Sequence, residues 1–369
     1  MTGERWKLEE VCEKRSSNLM QKDLSLGTGD FPIYGASGLL GYVNFYIQDK
    51  EYIGVVKDGA GVGRVMLLPA KSSCIGTMQY LVPKSGVLSH YLYYAVENMN
   101  LSKYNTGATI PHIYFRDYKN ETLPKVSLNE QKEIASILDK IANVIAKRRE
   151  QLLFLDELVK SQFIEMFGDP EYNTKGLPIY KLGDLCNVGS SKRIYQDEQT
   201  AEGIPFLRIS DLNNKIDGRE VSFDLFIPEN VYESLKGAGL VPVAGDILVT
   251  ARGTLGRCYI IKESDIFYFQ DGMITWLSEL NEQVTSLYIS HLFNTEGIKK
   301  QIAGLQAGST VAYLSIAMTK KLNIMLPPIN RQNEFARFVE QTDKSKILLM
   351  MGYIVLQFCA LYAKQLNLM

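Results

Sequence analysis

The sequence predicts an α+β fold made of two similar β-rich domains, each followed by one long helix, in a pseudo-two-fold internal repeat. Short motifs recur in the same order in both halves, β-like runs dominate each half, and each half ends in a long helical pattern with an apolar seam. The 369 residues are enough for two domains with connecting elements. We predict domains at 1–126 and 169–328 and helices at 127–168 and 329–369.

The internal repeat rests on the order of its matches, because each match is short. Five weak matches in one order are hard to obtain by chance, which indicates duplication of one domain-plus-helix unit. The matched pairs are Lys7–Cys12 with Lys181–Cys186, Tyr52–Arg64 with Asp246–Arg257, Thr106–His112 with Ala307–Tyr313, Leu123–Gln131 with Leu326–Gln332, and the two helical patterns that follow.

The first long helix is predicted by a capping motif, a continuous apolar face and a terminating Gly-Asp-Pro sequence. Ser127 and Glu130 have the spacing of a capping box. Apolar residues then alternate every three and four positions from Ile134 to Met166, and Gly168-Asp-Pro170 ends the pattern. A helix of about 40 residues is roughly 60 Å long. We predict that the second helix covers this seam in a coiled coil, in preference to each helix packing on its own domain.

The second long helix is predicted to follow Pro327-Pro328, which break the strand before it, with Asn330 as its cap. It lacks a matching capping box, because Arg331 stands where the first copy has Glu130. Its seam runs from Phe335 to Tyr362.

Between Ile347 and Tyr362 this helix is apolar on more than one face, yet too short to span a bilayer comfortably. We expect it to pack against another helix and to leave some apolar surface for a protein partner. The predicted interface residues are Phe335, Phe338, Leu349, Ile354 and Leu361.

The globular halves read as mostly β, with fewer helices. Predicted strands are Leu39–Ile47, Glu51–Val56, Arg64–Leu68, Met78–Val82, Ile204–Ile209, Asp246–Thr250, Arg257–Ile261 and Met273–Leu277. Predicted helices are Ser89–Asn98, Ser286–Asn294 and Thr295–Ala303.

Composition indicates a folded, soluble protein of a reducing compartment. The formal net charge is −1, so nucleic-acid binding would need local basic patches or a basic partner. The five cysteines and three histidines form no CxxC or Cys/His cluster, which predicts no metal site and a cytoplasmic location. The charged N-terminal residues do not resemble a signal peptide.

Catalytic motifs are missing from the pattern. Gly59–Gly63 lacks the Lys-Ser/Thr of a P-loop and leads into a β-like run, so a hairpin is favoured over a phosphate site. Cys12 and Cys186 take matching places in the repeat and are interpreted as small core residues, not nucleophiles. We therefore predict no enzymatic activity and no bound cofactor or metal.

Loops that combine Gly, Ser or Thr with cations suit contact with double-stranded DNA. The alternative for each single residue is a solvated turn, but the same loop types recur in both halves. The candidate contacts are Lys57, Arg64, Lys103, Asn105, Thr106, Thr109 and His112 in the first half, and Lys192, Arg193, Arg208, Arg252, Thr254, Arg257, Ser309, Thr310 and Tyr313 in the second.

The chain resembles the specificity subunits of type I restriction–modification enzymes over essentially its whole length. The helix entries Leu123–Asp139 and Leu326–Gln332 carry the resemblance, supported by the domain openings at Lys7–Cys12 and Lys181–Cys186. Phe31–Gly38 and Gly107–His112 are similar to segments common in one class of those recognition domains.

The resemblance implies two target-recognition domains, each reading one half of a split DNA sequence, separated by two antiparallel coiled-coil helices that act as a ruler. It implies two modification (methyltransferase) subunits, which bring S-adenosylmethionine for adenine methylation, and restriction subunits, which use ATP and Mg to translocate and cut. Two other interpretations are a coiled-coil adaptor whose end domains bind protein and, less favoured, a nucleotide-binding enzyme using the Gly-rich loops.

Overall fold

The computed structural model describes residues 4–27, 29–106, 110–306 and 312–368, with side chains up to Leu361. Contacts divide the chain into two compact units, residues 1–151 with 348–369 and residues 152–347. Each unit therefore contains one globular domain and portions of both long helices.

The first half begins with the strands that build its sheets and ends in a long helix. Its strands are β1 (Arg5–Lys7), β2 (Cys12–Ser16), β3 (Phe31–Gly35), β4 (Gly38–Val43), β5 (Tyr52–Val56), β6 (Val65–Leu68), β7 (Ser73–Cys74), β8 (Met78–Pro83) and β9 (Thr122–Pro124). Its helices are α1 (Leu8–Val11), α2 (Ser89–Asn98), α3 (Phe115–Tyr118) and α4 (Leu128–Phe167).

In the part of the chain that the structure describes, the second half repeats this order with three added helices. Its strands are β10 (Ile179–Lys181), β11 (Asn187–Gly189), β12 (Ile204–Leu207), β13 (Phe226–Ile227), β14 (Ile247–Thr250), β15 (Cys258–Ile260), β16 (Tyr268–Phe269), β17 (Ile274–Ser278) and β18 (Asn323–Met325). Its helices are α5 (Leu182–Leu185), α6 (Ile209–Ile216), α7 (Glu229–Gly237), α8 (Ser286–Phe293), α9 (Glu296–Leu305), α10 (Ile316–Lys320) and α11 (Ile329–Leu368). The added helices are α6, α7 and α9.

Sheet topology confirms the predicted duplication. A four-stranded antiparallel sheet has the order β2-β8-β5-β6 in the first half and β11-β17-β14-β15 in the second. A three-stranded sheet has the order β4-β3-β7 in one half and β13-β12-β16 in the other, with one antiparallel and one parallel pairing each. The pairs β1-β9 and β10-β18 close each domain next to its long helix.

The predicted elements are present with bounds that differ by a few residues, and six short helices and ten strands of the described residues were missed. The strand predicted at Leu39–Ile47 ends at Val43. The strand predicted at Ile204–Ile209 ends at Leu207, because Asp211 accepts a hydrogen bond from the backbone N–H of Arg208 and starts α6 there (2.9 Å). Neither α6 nor α7 was predicted.

A buried glutamine fastens each long helix to its domain. The Oε1 of Gln131 accepts from the backbone N–H of Leu88, the residue before α2 (2.9 Å), and its Nε2 donates to the carbonyls of Gly86 (3.0 Å) and Val126 (3.1 Å). No part of the Gln131 side chain reaches solvent. Because its partners come from two separate segments, this one side chain fixes the helix start against the turn before α2.

The second copy has the same arrangement at Gln332. Its Oε1 accepts from the backbone N–H of Thr285, which precedes α8 (2.9 Å), and its Nε2 donates to the carbonyls of Gln283 (2.8 Å) and Pro327 (2.9 Å). We call Gln131 and Gln332, with these partners, the glutamine clamps.

The two helix starts differ as the sequence predicted, with one correction. Ser127 and Glu130 form a reciprocal capping box. The Oγ of Ser127 accepts from the backbone N–H of Glu130 (3.3 Å), and the Glu130 carboxylate accepts from the backbone N–H of Ser127 (2.7 Å). Asn330 is not the cap of α11, because the helix already begins at Ile329. The carbonyl of Pro328 accepts from the backbone N–H groups of Arg331 (2.9 Å) and Gln332 (3.3 Å) instead.

Within the second unit, the end of α4 and the start of α11 run antiparallel. Phe335 packs on Phe163 with ring centroids 5.3 Å apart, and Lys346, later on α11, pairs with Asp156, earlier on α4 (2.8 Å). The rings of Phe167, Tyr288 and His291 complete this aromatic cluster. Burial lowers the pKa of His291 to about 4, so its imidazole stays neutral in the cluster at pH 7.

The later part of α11 is covered by the chain on one face only. Large apolar side chains are exposed at Ile347, Leu348, Met350, Met351, Ile354, Val355, Phe358 and Leu361. Leu349, Gly352, Leu356 and Ala360, at helical spacing between them, are partly buried. The exposed side chains agree with the expectation that this stretch leaves apolar surface for a protein partner. The stretch Ile329–Leu361 has the length and hydropathy of a membrane span. However, charged residues occur in it up to Lys346, and the 17 uncharged residues that follow before Lys364 include Gly352 and Gln357 and are fewer than the roughly 20 needed to cross a bilayer comfortably.

Replacing Phe335 with alanine should lower the free energy of unfolding by about 3–5 kcal/mol, because the ring is fully buried and its loss leaves a cavity. Phe358→Ala on the same helix is the matched control. Its ring is 68% exposed, so we expect a change within about 0.5 kcal/mol. Urea denaturation followed by circular dichroism measures both, and equal effects would contradict the assigned core.

Candidate nucleic-acid interface

The Gly-rich segments are β-hairpin loops in both halves, as predicted. In the first, the backbone N–H of Val56 donates to the carbonyl of Arg64, and that of Gly63 donates to Val56 (both 2.9 Å). In the second, Thr250 donates to Arg257, also at 2.9 Å. Gly63 has φ +85°, and a Cβ there would lie 2.4 Å from the backbone nitrogen of Ser102, so only glycine fits.

A return segment joins each hairpin loop through one isolated β-bridge. Asp58 pairs with His112 in the first half, and Arg252 pairs with Tyr313 in the second. The neighbouring hydrogen bonds also match. The backbone N–H of Ile113 donates to the carbonyl of Lys57 in the first half (2.9 Å), and that of Leu314 donates to the carbonyl of Ala251 in the second (3.0 Å). The structure thus brings together hairpin and return segment, two predicted contact regions that are far apart in sequence. We call this junction the loop bridge.

Three candidate contacts, Thr109, Ser309 and Thr310, lie outside the described residues. Their segments, 107–109 and 307–311, directly precede the return segments in sequence. They therefore remain predictions.

In the first half, the loop bridge is held by side chains as well as backbone. The Nδ1 of His112 contacts the carboxylate of Asp58, and Lys57 lies 3.6 Å from the same carboxylate. The side-chain oxygen of Asn105 accepts from the backbone N–H of His112 (3.0 Å), and Thr106 donates its N–H to the His112 carbonyl (3.0 Å). Asn105, Thr106 and His112 therefore stabilise the conformation of this loop.

The other cations of the first half differ in how far they are neutralised. Lys103 pairs with Glu121 at 2.5 Å and lies over the ring of Tyr104. Arg64 is exposed and donates to the carbonyl of Ala36 (2.9 Å), which leaves its charge without a carboxylate partner in the described chain.

Three of the four candidate arginines of the second half are tied to carboxylates. Arg193 pairs with Asp271 (2.8 Å), and Arg208 with Asp211 (3.2 Å) and Asp224 (2.6 Å). A DNA contact by these residues would have to compete with ion pairs already made.

Arg257 is the most strongly engaged of the three. It contacts Asp217 through one guanidinium nitrogen and donates to Asn213 through another (2.8 Å). The guanidinium holds the pKa of Asp217 below its usual range. Arg257 therefore links the hairpin to α6.

Three exposed candidates of the second half remain available to a ligand: Lys192, Arg252 and Thr254. Over the described residues, neither cation has a carboxylate partner. The guanidinium carbon of Arg252 lies 4.8 Å from the ring centroid of Tyr313, its partner in the loop bridge.

Sequence reasoning missed an aromatic-cationic stack in the first half. The rings of His112 and Tyr114 lie 4.0 Å apart, and the guanidinium of Arg116 lies 4.5 Å from the Tyr114 ring. Arg116 lies in the first turn of α3, directly after the extended segment that holds His112 and Tyr114, and the close spacing of the three residues in sequence was the available signal.

The predicted partner-subunit interface needs one correction. Phe335 is completely buried in the core of its own unit and presents nothing to a partner, and Phe338 is partly buried against the same core. Ile354 and Leu361 are exposed and Leu349 is partly exposed, so these three lie on available surface.

The described residues include no group of three or more His, Cys, Asp or Glu side chains able to hold a metal ion. Burial raises the pKa of the thiols of Cys12, Cys74 and Cys186 to about 12. Such thiols are neutral at pH 7 and poor nucleophiles. Cys12 and Cys186 donate to the carbonyls of Leu8 and Leu182, which agrees with matching core roles.

Arg257→Ala should lower the free energy of unfolding by about 1–3 kcal/mol, because Asp217 and Asn213 lose a charge-assisted partner. Arg252→Ala, five residues earlier in the same loop, should change it by less than about 0.5 kcal/mol. Thermal and urea unfolding distinguish the two. A larger loss for Arg252→Ala would contradict their assigned roles.

Comparison with known proteins identifies the family. The profile of the type I restriction modification DNA specificity domain matches twice, at residues 3–153 and 175–354. A protein of Haemophilus influenzae named as a type I restriction enzyme specificity subunit is 26% identical over 87% of this chain and 81% of its own length. A type I specificity subunit of Methanocaldococcus jannaschii is 24% identical over 80% of this chain and 73% of its own.

Solved structures show the same fold. The S subunit of a type I restriction-modification system from M. genitalium superposes with a TM-score of 0.61 at 16% identity, covering 99% of this chain and 96% of that one. A chain from a structural study of type I system assembly gives a TM-score of 0.59 at 13% identity, covering 99% and 97%. The chain belongs to the family of type I restriction–modification specificity subunits and carries two copies of its DNA specificity domain.

Proposed function

We propose that each domain of this specificity subunit reads one half of a bipartite DNA target through its loop bridge and the adjoining loops. The observation that carries the proposal is the loop bridge itself, built on the same backbone in both domains but from different side chains. Reading two unlike half-sites requires different side chains, and a backbone arrangement shared by both domains can present them.

The chain performs no chemistry of its own in this proposal. Its buried thiols are protonated at pH 7, and methyl transfer and cleavage would be carried out by partner subunits in the cytoplasm. We propose two modification subunits supplied with S-adenosylmethionine, and restriction subunits that use ATP and Mg. The exposed apolar stretch from Ile347 to Leu361 is the surface we assign to subunit contact.

The adaptor alternative is not retained, because both copies of the repeat match a DNA specificity domain. The nucleotide-binding alternative has no structural basis in the Gly-rich loops, which form hairpins between antiparallel strands.

The proposal predicts sequence-selective, salt-dependent DNA binding by the complex of this chain with its modification subunit. Sequencing of methylated genomic DNA from a host expressing both should give one split adenine-methylated motif. In mobility-shift assays, affinity for that duplex should fall about a thousandfold between roughly 50 and 200 mM salt if about six phosphates are engaged.

The matched control is a duplex with both half-sites scrambled at constant length and composition. Its binding should be at least about a thousandfold weaker than that of the intact target at physiological salt. Equal binding of both duplexes, or a methylated motif without two separated parts, would contradict the proposal.

A further inference from the structure

The loop bridge has opposite electrostatic character in the two domains. The bridge position on the hairpin holds Asp58 in the first domain and Arg252 in the second, and the return segment holds His112 and Tyr313. Flanking hydrogen bonds by Ile113 and Leu314 show that these positions are structurally equivalent. The backbone of the loop bridge is thus the same in both domains, while the side chain at this position changes from an aspartate to an arginine.

Arg252 has an aromatic partner, and its charge is not neutralised by a carboxylate of the described residues. Its guanidinium lies over the Tyr313 ring, with the central carbon 4.8 Å from the ring centroid. Stacking on a ring orients the guanidinium plane and leaves its N–H donors free at the edge. Within the described residues no carboxylate pairs with it, and the side chain is exposed.

The other candidate arginines of the second domain are differently placed. Arg193, Arg208 and Arg257 each have an aspartate partner within 3.2 Å, which occupies their donors. Among the described residues, Arg252 therefore offers a planar pair of donors without first breaking an ion pair.

A planar pair of donors fits guanine better than any other base. Guanine presents two acceptors, O6 and N7, on its major-groove edge, and a bidentate arginine is their commonest partner. A phosphate can also accept two parallel N–H donors from an arginine, so the shape of the guanidinium alone does not separate the two contacts. The equivalent position in the first domain holds Asp58, whose negative charge would repel a phosphate. A position that changes with the domain in this way favours base reading, because phosphate contacts carry no sequence information.

We propose that Arg252, supported by Tyr313, reads one guanine in the half-site of the second domain, where the first domain presents Asp58 and has no equivalent reader. This inference rests on the proposed function. Arg252 is the base-contacting residue, and Tyr313 is a positioning residue that acts through it.

The first test is the methylated motif in hosts expressing the modification subunit with wild-type chain, Arg252→Ala or Arg252→Lys. Both variants should relax one G·C position in one half of the motif and leave the other half unchanged. Lys236→Ala, which removes an exposed cation of the same unit on α7, should leave the whole motif unchanged. An unchanged motif in both Arg252 variants would overturn the inference.

The second test uses duplexes in which each guanine of that half-site is replaced singly by 7-deazaguanine, which lacks the N7 acceptor. One replacement should weaken wild-type binding by roughly 5-fold, the lower end of the range for a bidentate base contact, because O6 remains as an acceptor. The same replacement should have no effect on the complex containing Arg252→Ala. Uniform weakening of every duplex by Arg252→Ala would instead show a phosphate contact and refute base reading.

Tyr313 variants check the supporting role. Tyr313→Phe keeps the ring and should keep the wild-type motif, whereas Tyr313→Ala should relax the position that Arg252 reads. Relaxation at a different position would contradict the assignment. A wild-type complex with no sequence preference at all would refute the proposed function, an outcome distinct from failure of the Arg252 assignment alone.

Discussion

Each long helix carries, in its first turn, a glutamine whose side chain is buried in the domain that precedes the helix. Gln131 and Gln332 each satisfy one backbone N–H and two backbone carbonyls, at distances of 2.8–3.1 Å. Buried backbone groups without partners are costly, so neither helix can shift along its domain without leaving three of them unpaired. The orientation of each recognition domain on its helix depends on this constraint.

The two domains share one backbone arrangement but differ in the side chains at the loop bridge. The strand order, the hairpin loops and the loop bridge recur with the same hydrogen bonds in both domains. The side chains at the loop bridge do not recur, because the repeated hydrogen bonds there are made by backbone groups: Asp58 and His112 stand in one domain, Arg252 and Tyr313 in the other. A duplicated frame can therefore present two different surfaces to two half-sites.

Local patterns predicted the hairpins and the long helices of the frame, but not many of its short strands and helices. The hairpins followed from glycines between β-like runs, and the long helices from their seams and the Ser127 box. Short helices such as α6 were missed because their starts depend on single contacts, here Asp211 with Arg208. The loop bridge joins residues more than 50 positions apart, so local patterns could not predict it. The ion pair of Arg257 is also formed with a residue distant in sequence, and Arg252 has no carboxylate partner among the described residues. This difference between the two arginines could therefore not be predicted from the sequence.

Hydrogen exchange on the Gln332→Leu chain addresses the clamp directly, with Gln131→Leu as its reciprocal. Leucine keeps the approximate volume but cannot accept from Thr285, so the start of α8 should exchange faster while the start of α2, including Leu88, keeps its wild-type rate. Gln131→Leu should give the opposite pattern. Unchanged exchange at Thr285 in Gln332→Leu would show that the helix is held by other contacts and that the clamp does not fix the domain.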